Sequence, residues 1–64
     1  MDYRDIRRAA IAQGWRVEER KAADIWYSPD GRSIVTWHRT PSDVRALRNF
    51  LARMRQGGLR WPAT

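Results

Sequence analysis

The stretch IWYSPDGRSIVTWHRTPSDVRALRNFL (residues 25–51) contains two turn signals that decide the order of the secondary structure. In SPDG (residues 28–31), proline presets φ for a β-turn and glycine accepts the left-handed conformation that follows, so the flanking apolar runs form a hairpin. In TPSD (residues 40–43), threonine is the N-cap, proline takes the first helical position and aspartate closes a capping box. The stretch therefore predicts two antiparallel strands followed directly by a helix.

The faces of the hairpin follow from its turn. A three-residue loop pairs Trp26 with Ile34 across the strands. Alternation then gives two sets: Trp26, Ile34 and Thr36 on one face, and Ile25, Tyr27, Val35 and Trp37 on the other. Both are apolar, whereas a sheet covered by helices on one side alternates apolar with polar residues. The second set is therefore predicted to be a protein interface or a platform for stacking bases.

The rest of the chain adds a helix and a strand before the hairpin. Helical periodicity covers about residues 3–13, with Asp2 as the N-cap and Gly14 as the stop. Residues 15–20 alternate as a strand, and the last helix ends at Gly57 before a tail at residues 59–64. We therefore predict an α+β fold with the order α-β-β-β-α, a three-stranded antiparallel sheet and two helices packed on one face. One domain, residues 1–64, contains all of it.

Composition limits the classes of function. The chain has 64 residues, no cysteine and one histidine, with its carboxylates scattered singly, so neither a metal site nor a cofactor is expected. No apolar run approaches the roughly 18 residues that span a bilayer, and the first residues do not resemble a signal peptide. We expect a cytoplasmic protein, in a bacterium or a phage-infected cell, that does not bind membranes. A domain this small has a thin core, so a homodimer would help it.

Arginine dominates the net charge of +6, since Lys21 is the only lysine. No acidic residue follows Asp43, whereas five arginines do. Because arginine binds phosphate bidentately and stacks on bases, RNA or DNA is the predicted partner. The candidate phosphate contacts are Arg45, Arg48, Arg53 and Arg55, followed by Arg4, Arg7 and Arg8. The competing interpretation is a solubilising surface with an arginine bias that reflects the base composition of the gene.

Several short motifs carry a family resemblance between about residues 6 and 59. They are GWxV at 14–17, PDGR at 29–32, the histidine at 38, TPSDxRAL at 40–47 and GL at 58–59. Together with the α-β-β-β-α order, they resemble the HicA family, small bacterial toxins that cleave RNA on a fold like that of double-stranded-RNA-binding domains. HicA toxins pair with a HicB antitoxin. The TPSDxRAL segment is similar to short actinobacterial and phage-encoded relatives.

One departure from that family bears on function. The HicA motif Gly-Ser/Thr-His-His falls on residues 21–24, so the histidine taken as catalytic aligns with Ala23. A methyl group can neither accept nor donate a proton. The resemblance therefore implies a HicA-like scaffold without its catalytic residue.

Three functions remain open from the sequence. The first is a non-catalytic nucleic-acid-binding or regulatory protein of toxin–antitoxin or phage origin. The second is a protein-interaction module, as a dimer or a binder of a HicB-like antitoxin or host protein. The third is a residual ribonuclease with His38 as a weak catalytic candidate, although the favoured interpretation of His38 is a strand-end histidine bonded to backbone or solvent. Asp24 is predicted to be a solvated charge at a strand end.

Overall fold

A computed structural model describes residues 2–39 and 44–62. The elements are α1 (Tyr3–Ala12), β1 (Arg16–Glu19), β2 (Ala23–Tyr27), β3 (Ile34–His38) and α2 (Val44–Gln56). This confirms the predicted α-β-β-β-α order. The predicted N-cap and capping box at residues 40–43 lie outside the described residues.

A single antiparallel sheet with the order β1-β2-β3 forms one layer, and the two helices form the other. The core between the layers draws on both helices and the sheet: Ile6, Ala10, Trp15, Trp26, Val35, Phe50, Met54 and Leu59. Trp26 of the central strand is fully buried at its centre. The predicted packing of both helices on one face of the sheet is therefore confirmed, and the other face of the sheet is open.

Both helices end in the same way. α1 begins at the predicted N-cap, Asp2, which forms a capping box with Asp5. Gly14 (φ 90°) and Gly58 (φ 107°) adopt the left-handed conformation that stops each helix. The apolar residues that follow, Trp15 and Leu59, donate their N–H groups back to the last helical turn and are buried. These are Schellman motifs, and each one turns the chain back into the core.

The hairpin register differs by one residue from the prediction. Trp26 lies opposite Val35, not Ile34, and Tyr27 lies opposite Ile34. The predicted face of Ile25, Tyr27, Val35 and Trp37 is therefore wrong for two of its members. Val35 is 5% exposed, and the ring of Trp37 packs against that of Phe50 at 5.2 Å, so both belong to the core side.

The reason for the shift is a loop that is one residue longer than a simple turn-plus-glycine hairpin. The β-turn at residues 28–31 is present, and Gly31 has a positive φ as predicted. The Ser28 hydroxyl accepts the Ser33 N–H at 3.0 Å, while the Asp30 carboxylate accepts the Arg32 N–H at 3.0 Å. Because these side chains satisfy the backbone donors, Arg32 joins the loop and the strands pair from Ser28 and Ser33 onward.

Candidate nucleic-acid interface

A buried polar cluster links α1 to the sheet beside the core. Asp24 is 4% exposed and accepts the Tyr3 hydroxyl at 2.5 Å and the Arg39 guanidinium. The Tyr3 hydroxyl accepts the indole N–H of Trp26 at 3.0 Å. The prediction of Asp24 as a solvated charge was wrong. Its position two residues before Trp26, hence on the same side of β2, was the available signal.

The cluster perturbs the pKa values of both acids. Burial alone would raise the pKa of Asp24, but hydrogen bonds from Tyr3 and Arg39 and the positive charges of Arg39 and Arg7 hold it below its usual value. Burial of the phenol and its hydrogen bond to Asp24 raise the pKa of Tyr3. At neutral pH the carboxylate is therefore charged and the phenol protonated. The cluster therefore joins α1 to the central strand through a protonated phenol and a charged carboxylate.

Ion pairs and a cation–π contact distinguish two groups of arginines. Four side chains are held by protein partners. Arg7 pairs with Glu19 at 2.8 Å, Arg20 pairs with Glu18 at 2.6 Å, Arg39 pairs with Asp24, and Arg16 lies 4.8 Å from the centre of the Tyr27 ring. Arg7, a predicted phosphate contact, is therefore already engaged with carboxylates.

The α2 arginines form the second group. Arg45, Arg48, Arg53 and Arg55 are all exposed. Within the described ranges, Arg48, Arg53 and Arg55 make no ion pair. Their guanidinium groups retain all their donors for an external anion.

Helical spacing separates these arginines further. Arg48 and Arg55 are about two turns apart and share one flank of α2. Arg53 lies on the other flank, where it lines concavities against β3. On α1, Arg4 and Arg8 are about one turn apart, exposed, and without ion pairs in the described part of the chain. We call Arg4, Arg8, Arg48 and Arg55 the helix-layer arginines, because both helices cover the same face of the sheet.

Most of the acidic residues that the structure describes lie away from the helix layer. Glu18 and Glu19 lie on β1, Asp30 lies in the hairpin loop, and Asp24 is buried. At the helix layer, Asp2 and its capping partner bind backbone N–H groups at the start of α1. Within residues 2–39 and 44–62, the cations of the helix layer therefore share that layer with two carboxylates, Asp2 and Asp5, both at the start of α1. Such a surface attracts polyanions, and its guanidinium groups match phosphate oxygens.

The open sheet face is mixed rather than purely apolar. It carries Ile25, Tyr27, Ile34 and Thr36, with Arg16 over the tyrosine ring. Ile34 is 64% exposed. The predicted second face is therefore only partly apolar: Ile25 and Tyr27 lie on it as predicted, and Ile34 lies on it in place of Val35 and Trp37. An exposed isoleucine beside a tyrosine suits an interface as well as a base-stacking platform.

His38 lies at the end of β3, exposed and directly opposite Ala23. The only histidine thus neighbours the position where the family resemblance places the missing catalytic one. No hydrogen bond of the described residues engages its imidazole. A general acid or base acts within hydrogen-bond reach of the proton that it transfers, and His38 lines two concavities from which it could do so.

Residues 2–39 and 44–62 lack both the side-chain grouping of a metal site and the helix length of a membrane span. Across these ranges, His, Asp and Glu side chains do not gather in the groups of three that would hold a metal. Neither described helix has the length and apolar character needed to cross a bilayer. No family model, curated protein or solved structure matches the chain.

Proposed function

We propose that this protein is a small, non-catalytic nucleic-acid-binding protein that holds RNA or DNA on its helix layer. The resemblance to HicA toxins is part of this proposal, as is an origin in a toxin–antitoxin or phage system. Loss of the catalytic histidine at Ala23 leaves binding as the function that the remaining residues support.

The observation that carries the proposal is the division of the arginines. Arg7, Arg16, Arg20 and Arg39 have protein partners, whereas the helix-layer arginines are exposed and form no ion pair with any described residue. A surface that served only solubility would be expected to mix both signs of charge. An unneutralised arginine layer instead favours a phosphate backbone as the ligand.

A pair of double variants tests this proposal. Arg48→Gln with Arg55→Gln removes two charges from the helix layer. Arg16→Gln with Arg20→Gln removes the same two charges from the open sheet face. Binding of fluorescein-labelled single-stranded and duplex RNA is measured by anisotropy at low salt. The double variant on α2 should weaken RNA binding strongly, and the double variant on the open sheet face should weaken it only slightly. No binding by the wild type, or the reverse order of the two variants, would sink the proposal.

A second candidate function is a protein-interaction module built on the open sheet face, favoured by the exposure of Ile34 beside Tyr27. In this alternative Ile25, Tyr27 and Ile34 would contact a second copy, an antitoxin or a host protein. Size-exclusion chromatography of the wild type and Ile34→Ser tests the dimer. Identical monomeric elution of both proteins would remove it.

The third possibility, a residual ribonuclease, depends on His38 alone. It is tested by the RNA-cleavage rate of the wild type and His38→Ala. RNA cleavage that persists in His38→Ala would rule out His38 as the catalytic residue.

A further inference from the structure

β3 is an edge strand, because the sheet order is β1-β2-β3. The hydrogen bonds at its two ends fix which residues face β2: Ser28 donates to the Ser33 carbonyl, and Arg39 donates to the Ala22 carbonyl. Antiparallel pairing alternates, so the N–H and C=O groups of Ile34, Thr36 and His38 point away from β2. The outer edge of β3 therefore offers a row of alternating donors and acceptors.

Within Ile34–His38, this edge lacks two of the features by which proteins commonly block such rows. The segment Ile34–His38 contains no proline, and its residues pair one to one with β2, so it has no bulge. Five paired residues give an edge of about 17 Å. That is long enough to bind another extended segment by strand addition.

A groove runs beside the edge, between β3 and the flank of α2 that bears Arg53. Its first half is lined by Thr36, Trp37 and His38 against Ala46, Asn49 and Arg53. Its second half continues along residues 32–35 to Arg53, Gln56 and Gly57. Arg53 is shared by both halves, so the two concavities adjoin.

The charge of the groove restricts what it can bind. Among the described residues, Arg32 and Arg53 are its cations, and no carboxylate lines either half. A second copy of the chain would bring another Arg32 and Arg53 to the same edge, and like charges would repel. A phosphate backbone would satisfy the N–H groups, but phosphate oxygens cannot donate to the outward carbonyls. An extended peptide satisfies both groups, and acidic side chains on it would match Arg53.

We propose that the free edge of β3 and the Arg53 flank of α2 bind an extended, acidic segment of another protein as a fourth strand. This inference goes beyond nucleic-acid binding and uses a different surface. Arg48 and Arg55 lie on the opposite flank of α2, so either proposal can fail alone.

The probe is a short fluorescein-labelled peptide of alternating glutamate and valine, with alternating lysine and valine as its control. Arg53→Glu should weaken binding of the glutamate peptide by at least about tenfold, the factor expected for loss of one Arg–carboxylate hydrogen bond. Arg55→Glu makes the same charge change on the other flank and should stay within about twofold of the wild type, since its distance leaves only screened attraction. Circular dichroism checks that both variants fold.

Amide hydrogen exchange gives a second readout that needs no variant. The amides of Ile34, Thr36 and His38 should exchange rapidly in the free protein and become protected by the glutamate peptide. Those of Val35 and Trp37, already bonded to β2, should change little.

Several results would overturn the inference. These are no binding of the glutamate peptide, equal binding of the lysine peptide, equal loss in both variants, or protection of other amides instead. Protection of the three edge amides by an RNA oligonucleotide but not by the peptide would assign the edge to nucleic acid. Concentration-dependent protection without any peptide would assign it to a second copy.

Discussion

Replacing Tyr3 with phenylalanine isolates the buried cluster, because it removes one oxygen and leaves the ring stacked on Trp37 at 4.9 Å. That oxygen accepts the Trp26 indole N–H and donates to Asp24. Trp26 is fully buried, so its N–H would have no acceptor, at a cost of about 1–3 kcal/mol. Loss of a charge-assisted hydrogen bond is worth about 1.5–3 kcal/mol. The cost of the unpaired Trp26 N–H and the loss of the hydrogen bond to Asp24 are not independent, because one oxygen makes both contacts. We therefore expect the free energy of unfolding to fall by about 2–4 kcal/mol in total.

A loss of this size is large for this chain. With 64 residues, its total stability should be about 3–10 kcal/mol. Urea unfolding followed by tryptophan fluorescence measures the change. Tyr27→Phe is the matched control, because Tyr27 lies on the open sheet face beneath Arg16, and it should cost less than about 0.5 kcal/mol. Equal, small losses in both variants would refute the stabilising role of the cluster.

Three further predictions concern the core and its charges. The pKa of Asp24 is lowered in the folded state, so its contribution is present above the unfolded pKa of about 3.9 and is lost as pH falls. Urea midpoints at several acidic pH values should therefore fall more steeply for the wild type than for Asp24→Asn, and parallel curves would contradict this. A β-carbon at Gly57 would lie 2.8 Å from the Trp15 ring. Gly57→Ala should therefore lower the free energy of unfolding by about 1–3 kcal/mol. An unchanged thermal midpoint would contradict this, because it would mean that the neighbouring side chains move aside without cost. Trp37→Ser should unfold or strongly destabilise the protein whereas Ile34→Ser should not, and circular dichroism melts giving the opposite order would contradict the register.

Local chemistry made the element order predictable. Proline and glycine in the turn, Asp2 at the first helix and a glycine after each helix each act on the backbone within a few residues. Their effects therefore follow from the sequence alone. The apolar periodicity of both helices likewise indicated which face would pack.

Local chemistry did not predict two features, the register of the hairpin and the burial of Asp24. Ser28 and Asp30 satisfy backbone donors in the loop, which adds Arg32 to it, and a single added residue exchanges the faces of β3. The burial of Asp24 could not be predicted from local sequence either, because its partners Tyr3 and Arg39 are distant in sequence. The ion pair between Arg7 and Glu19 also joins residues that are distant in sequence. The sequence alone therefore could not separate Arg7 from the other candidate phosphate contacts.

The central claim is that the helix-layer arginines bind phosphates, and the salt dependence of RNA binding tests it most directly. If all four helix-layer arginines contact phosphates, the log–log slope should be about −3.6 for duplex and about −2.8 for single strands. Arg48→Gln with Arg55→Gln should reduce its magnitude by about 1.8 or 1.4 respectively, and Arg16→Gln with Arg20→Gln should leave it unchanged. A slope that does not change in the helix pair, or that falls equally in both pairs, would contradict the proposed surface.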